Sequence, residues 1–321
     1  MKNYLVFLKF LWEYNIMKVI EHKTDLLDSI KKLKSIYQEN KVIFIDGKRV
    51  SELLKMLGAS ENDIEKLRFV SNNLKKDPTL NFRESRSGRF VFDFKRNTIY
   101  RTEFQPFILS KQEDFVRHDS GKIRHFYGIS ESLSDNSAFQ ALLKLKHLLI
   151  QNISFSPRPH LDYKSKDWVT TVFHLRTITD SQTVGEPALE GVHSDGVDHT
   201  MTVLFGHNNM GINSAISYIH SMEQKTSIST KEADPSHILG QFQHWDFLDT
   251  LLIVDHERKH SLTAVKRLDE RYNATRDMLI LFTRKPTLMT HISYQFDSKE
   301  AHPDYPIEFL AYHSGKLLES I

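Results

Sequence analysis

Cysteine is absent from the 321 residues, which removes disulfides, thiol nucleophiles and iron–sulfur ligation together. Charge of either sign is scarce in net terms: 43 basic against 41 acidic residues leave +2, with no long basic block. Electrostatics therefore give no reason to expect nucleic acid or a membrane surface as a partner. A bilayer-spanning run is also lacking. Met1–Trp12 superficially suggests a signal peptide, but Lys9 interrupts its apolar stretch, no small-residue cleavage site follows, and it is too short to span a membrane. It reads as a packing segment or an upstream extension, with Met17 as a conceivable start. A cytoplasmic location is the default expectation. What remains is ordinary for a soluble globular protein with a sizeable core: 40% hydrophobic and 26% charged residues. The 17 histidines are numerous, and only those in a pattern carry weight.

The front of the chain reads as helical. Leu26, Leu27, Ile30, Leu33 and Ile36 recur at helical spacing, so residues 25 to 38 form an amphipathic helix that Thr24 and Asp25 can cap. Val42–Ile45 is a short strand, Ser51–Leu57 a helix ended by Gly58, and Asn62–Leu74 a third helix. From Gly88 the character changes to strand formers, in Arg89–Phe94 and again in Thr98–Arg101. Pro106 keeps Phe104–Phe107 out of a central strand, and Gly121–Ser137 is polar enough to be a loop over a site. Ala138–Asn152 returns to helical periodicity. Trp168–Ile178 and Thr200–Phe205 are strands, with Ala215–His220 expected beside the second of them. Ser221–His244 reads as a hairpin excursion, and the aromatic tail after Pro286 as packing against the core. The expected organisation is a helical support over residues 1–80 and a mainly β core over 81–321, together one structural unit of α+β class.

The most informative stretch is Glu190-Gly-Val-His-Ser-Asp-Gly196. Alternate residues of an extended segment point the same way, so His193 and Asp195 can face one ion, and Gly191 and Gly196 permit turns on either side. Taken alone, His-x-Asp is equally a polar turn. A third ligand from a distant strand would complete the two-histidine, one-carboxylate triad that leaves positions open on non-haem Fe(II). His260 fits: it follows the apolar run Leu251–Val254 and the polar turn Asp255–Lys259. It lies 65 positions after Asp195, enough to hold several strands and return the chain to its starting sheet, as a double-sheet jelly roll requires. His256 is a rival. Asp198 and His199 read as turn residues, or as groups that orient the ligands.

Arg276 opens a further strand on the face it shares with Met278, Ile280 and Phe282, which puts a guanidinium on an apolar wall. Its planar fork pairs bidentately with a carboxylate and stays charged when buried, so the distal carboxylate of 2-oxoglutarate is its natural guest. The plainer role is an ion pair with Asp277 or a surface carboxylate. On the strand Trp168–Ile178, His174 and Arg176 share a face and are expected to project into the mouth of the barrel. There Arg176 would meet a substrate carboxylate, unless it is a structural ion-pair partner, and His174 would be a hydrogen-bonded supporting group.

From Phe82 to Pro286 the chain resembles the 2-oxoglutarate and Fe(II)-dependent dioxygenases that hydroxylate free amino acids. The matching pieces come in order: Arg89-Phe90, Phe104–Phe107, His174-Leu-Arg176, Glu190–Gly196, Asp255–His260 and Arg276-Asp277. The resemblance implies a double-stranded β-helix of the jelly-roll or cupin type. It implies iron on His193, Asp195 and His260, 2-oxoglutarate on Arg276, and dioxygen as co-substrate. The activity implied is hydroxylation coupled to decarboxylation of 2-oxoglutarate to succinate. Related halogenases vacate the carboxylate position, so Asp195 favours hydroxylation. The resemblance implies a free L-amino acid as substrate, but the family tends to carry a Gly-Gly-Glu type segment where this chain reads Asn208–Ala215, so isoleucine in particular is not transferable. Two other classes share the ligand set: a zinc-dependent hydrolase, and a non-catalytic barrel that binds a metal or small molecule. Arg276 distinguishes them, since a hydrolase needs no 2-oxoglutarate anchor.

Overall fold

A computed structural model describes residues 26–305 and 307–310. The Met1–Trp12 segment, the proposed Thr24–Asp25 cap and Tyr312 lie outside the described residues. Three helices come early: α1 (Leu26–Asn40), α2 (Gly47–Met56) and α3 (Glu61–Lys66). The second starts four residues before the expected Ser51, because the Asp46 side chain accepts the Arg49 N–H at 3.0 Å and caps it there. The expected single helix over Asn62–Leu74 is two pieces: α3 is capped by Ser60 at its start, and a 3₁₀ turn follows at Val70–Asn73. Between α1 and α2, β1 (Val42–Ile45) is fully buried.

The β core follows. Its strands are β2 (Lys75–Lys76), β3 (Arg83–Asp93), β4 (Thr98–Arg101), β5 (Trp168–Thr179), β6 (His199–Asn208), β7 (Ile216–His220), β8 (Ile238–Gln243), β9 (Thr250–Val254), β10 (Lys259–Leu262), β11 (Ala274–Arg284) and β12 (Glu308–Leu310). The large antiparallel sheet runs β1-β9-β6-β11-β5-β3-β4-β12, with β2 beside β3, and a small sheet runs β10-β7-β8. These two sheets are the walls of a double-stranded β-helix. The β7 strand is not beside β6, as its position in the sequence suggested. Asn209 and Ala215, both at positive φ (49° and 52°), turn the chain between them, and β7 pairs with β8 and β10 instead.

Two short helices, α4 (Glu131–Ser134) and α5 (Ser137–Ile150), complete the frame. Helix α5 buries Phe139, Leu142, Leu145 and Leu149 in one cluster with Ile30, Leu33 and Leu53 of the early helices and with Phe90, Val172, Met201 and Leu281 of the large sheet. The helices thus cover the outer face of that sheet and leave its inner face to the cavity. Lys146 is fully buried here and donates to the carbonyl oxygens of His199 and Leu281, so its amino group ties α5 to two central strands. In the tail, Phe309 packs partly buried against the same cluster, while Tyr294 and Tyr305 are exposed. No described helix is long and apolar enough to cross a membrane.

Candidate metal centre

The segment before β6 carries His193 and Asp195 in a loop whose turns only glycine allows. Gly191 and Gly196 have φ of 74° and 79°, and a Cβ on them would lie 2.1 Å from the Ile228 oxygen and 2.4 Å from the Glu113 oxygen. His260 sits in β10 of the opposite sheet. Its backbone and that of His193 exchange two hydrogen bonds of 2.9 Å as an isolated antiparallel bridge. Backbone pairing, rather than side-chain reach, therefore brings the two rings to 4.2 Å between centroids. Asp195 stands between them, with Oδ1 3.4 Å from His193 Nε2 and Oδ2 3.5 Å from His260 Nε2. One ligand atom from each of the three residues lies within 4.8 Å of the others, and all three residues are buried.

The donor set fits a divalent ion. His193 Nδ1 lies 2.8 Å from the Gly191 carbonyl oxygen, so that nitrogen carries the proton and Nε2 is left for a metal. The Thr200 hydroxyl donates to Asp195 Oδ2 at 2.6 Å. Burial alone would raise the Asp195 carboxyl, but the two imidazoles and Thr200 outweigh it and hold it below the usual carboxylate range. Burial likewise opposes protonation of His193, yet Glu190 and Asp195 push it up to about 9, whereas burial and His193 take His260 down to about 4. This concentration of negative charge around one proton is an environment that a cation would share with profit.

Asp255 fastens the loop. Its carboxylate accepts the backbone N–H groups of Asp195, Gly196 and Val197 at 2.7, 3.0 and 3.3 Å, five residues before the chain delivers His260. The rival His256 does not join the centre: its Nδ1 contacts Arg158 at 2.9 Å, and Arg158 also binds Asp114 at 2.8 Å. Asp198 takes the Tyr163 hydroxyl at 2.6 Å and the Lys285 N–H at 2.9 Å, and His199 pairs with the Tyr37 hydroxyl at 2.8 Å. Both brace the strand behind the ligands.

A cavity between the sheets opens from the three ligands, and Arg276, Met278, Ile280 and Phe282 line it as one face of β11. Arg276 is 2% exposed, and burial brings its guanidinium down to about 10. It makes no ion pair with Asp277, which Arg176 occupies bidentately at 2.6 and 2.7 Å. Arg276 Nε has no hydrogen-bond partner among the described residues, so the fork is buried, charged and unspent.

The expectation that His174 and Arg176 project into the mouth of the barrel is overturned, and Arg176 takes instead its other expected role, that of an ion-pair partner. The cavity face of β5 carries Phe173 and Leu175, and the alternate residues point away. His174 is fully buried on the outer face, where its Nε2 meets Ser71 Oγ at 2.8 Å and its ring packs against Phe205. Arg176 is the structural partner of Asp277. The helices cover the face that the sequence alone made look like the barrel mouth.

Sequence reasoning missed the charged part of the cavity lining, Arg83, Arg117, Arg124, Asp77 and Glu190, the last with Oε1 3.6 Å from His193 Nε2. The available signal was the alternation of aromatic and basic residues in the polar loop, Phe115, Arg117, Arg124 and Phe126, all of which line the cavity.

The description "2OG-Fe dioxygenase" matches residues 68–282. The chain is 43% identical over 279 residues to "Bifunctional enzyme flvA" of Aspergillus flavus; the match takes in 87% of this chain and 34% of that protein. It thus spans about a third of the length of this curated relative. Among solved structures it is similar to "Fe(II)/(alpha)ketoglutarate-dependent dioxygenase TqaL", with 42% identity, a TM-score of 0.78, and 89% of this chain and 97% of that chain covered. A bsmA homolog from Methylobium petroleophilum shares the fold at 18% identity and a TM-score of 0.65, over 85% of this chain and 98% of that one. By the extent of these matches, and with a buried His–Asp–His cluster beside an unpaired guanidinium, the chain belongs to the 2OG-Fe dioxygenase family.

Proposed function

We propose that this chain is an Fe(II)- and 2-oxoglutarate-dependent dioxygenase that hydroxylates a small free L-amino acid. The observation that carries the co-substrate is Arg276, a buried guanidinium without a carboxylate partner among the described residues, in the same cavity as the three ligand side chains. A zinc hydrolase would have no use for it, and neither would a metal-binding barrel without catalysis. His193, Asp195 and His260 would hold the iron and Arg276 the distal carboxylate of 2-oxoglutarate. The metal supplies oxygen activation coupled to decarboxylation of the 2-oxo acid, while the protein orients the substrate and excludes water. The phenylalanine-lined, mixed-charge end of the cavity supports a zwitterion as substrate. The helices before residue 81 then act as a support for the barrel core.

Screening free L-amino acids for succinate release, with mass spectrometry for one added oxygen, tests the proposal. Succinate formation tied to an oxygenated amino acid is the expected result. Succinate with no oxygenated amino acid would remove the substrate, and absence of 2-oxoglutarate binding to the iron-loaded protein would remove the activity.

A further inference from the structure

In the wall of the same cavity three guanidinium groups face two carboxylates. Asp77 is consumed by Arg83, whose Nε lies 2.7 Å away. Asp119 is shared, 3.0 Å from Arg117 Nε and 3.5 Å from Arg124 Nη1. One positive charge is therefore in excess. It falls on Arg124, which is 5% exposed, has no hydrogen-bond partner on Nε or Nη2 among the described residues, and lies over the rings of Phe107 and Phe115 at 4.5 and 4.7 Å. Those rings fix the plane of the fork without using its donors. The matching negative charge is Glu190, which lines the same cavity, acts on Arg117, and lies with Oε1 3.6 Å from His193 Nε2.

Given the amino-acid reading above, on which this step rests, we infer that Arg124, with Arg117 beside it, receives the substrate α-carboxylate and that Glu190 receives its α-ammonium. The three guanidinium groups balance Asp77, Asp119 and Glu190, so a zwitterion leaves that count unchanged while its carboxylate reaches the free donors of Arg124 and its ammonium lies beside Glu190. A plain amine would leave the buried Arg124 without a partner for its free donors, and a carboxylic acid without the amine would bring a second negative charge beside the half-buried Glu190; both are costly. The site thus discriminates against any analogue that carries only one of the two charges. Arg276 is the anchor for the other carboxylate in the cavity because no acidic group pairs with it among the described residues, whereas Arg124 has Asp119 at hand to share its charge.

The test is anaerobic calorimetry on the protein loaded with Fe(II) and 2-oxoglutarate. Aliphatic and aromatic L-amino acids are titrated first, then the amide, the decarboxylated amine and the deaminated acid of whichever binds tightest. Each analogue should bind about 100-fold more weakly or worse, as loss of one partner from a buried charge pair implies. Arg124→Met should weaken the amino acid by a similar factor and erase its advantage over the amide, and Glu190→Gln should likewise erase its advantage over the deaminated acid. Binding of 2-oxoglutarate to each variant, read from its anaerobic absorption band, reports that the cavity is intact, with Arg124→Lys as the milder change. If no amino acid binds, the functional reading fails. If one binds but its amide or the Arg124→Met protein binds as tightly, the assignment fails and that reading stands. If Arg124→Met abolishes 2-oxoglutarate binding instead, the two anchors have been exchanged and the inference is overturned.

Discussion

Replacing Arg276 with Met should weaken 2-oxoglutarate binding severely and yet not destabilise the protein. The two effects have the same origin. Burial brings this guanidinium from its ordinary range down to about 10, which corresponds to roughly 3 kcal/mol of desolvation held against the folded state. No carboxylate offsets it among the described residues, so a methionine of similar length relieves that cost and packs against Met278 and Ile280. A bound carboxylate does offset it, and removing one member of such a buried, charge-assisted pair costs about 2–5 kcal/mol, or roughly 30- to 4,000-fold in Kd. Anaerobic titration of the Fe(II) protein with 2-oxoglutarate, followed by its metal-to-ligand absorption band, measures the loss. Thermal melting of the metal-free protein measures the stability, with Tm expected unchanged or higher. Arg276→Lys keeps the charge but loses the fork and should fall between. Unchanged affinity in Arg276→Met would refute the assignment; a Tm lowered by several degrees would show that the guanidinium has a structural partner.

Asp255→Ala leaves all three ligand side chains in place but releases three backbone N–H groups, and should lower Fe(II) or Co(II) affinity about 10- to 100-fold in a chelator competition assay. Gly191→Ala and Gly196→Ala add a Cβ at positive φ against a backbone oxygen, and each should cost more than about 2 kcal/mol in urea unfolding, far beyond an ordinary loop change. Arg176→Gln should cost stability through Asp277 while leaving the KM values for 2-oxoglutarate and substrate unaltered; a raised substrate KM would restore Arg176 to the cavity. Burial holds His174 and His244 at about 3, below their unfolded value near 6.5. Their contribution is therefore complete above pH 6.5 and is lost as pH falls below it, because the unfolded chain binds the proton first. Urea unfolding at pH 5 should show a loss of up to about 2 kcal/mol per imidazole relative to pH 7, and a flat profile would show that these rings are not buried neutral.

The centre was legible in the sequence where side-chain alternation and glycine placement act locally: the His193/Asp195 pair, and the β11 face carrying Arg276. His260 was legible only through its distance from that pair and the strand before it. The face of β5 was not, because both of its faces are buried and alternation cannot say which of them meets helices and which meets a cavity. The position of β7 failed for a related reason. Nothing within Asn208–Ala215 announces a passage between sheets until Asn209 and Ala215 are seen at positive φ. The Arg117/Arg124 corner lies in a loop whose side chains converge through tertiary contacts alone.

The backbone bridge between His193 and His260 has a consequence for which ions the centre tolerates. Since peptide hydrogen bonds fix the two backbone positions, the points from which the imidazoles spring cannot move apart unless β10 peels away from the loop, and only the ring torsions are left to adjust. A larger cation would thus be met first by ring rotation and then by fraying of the bridge, so the main chain sets the limits within which the imidazoles adapt.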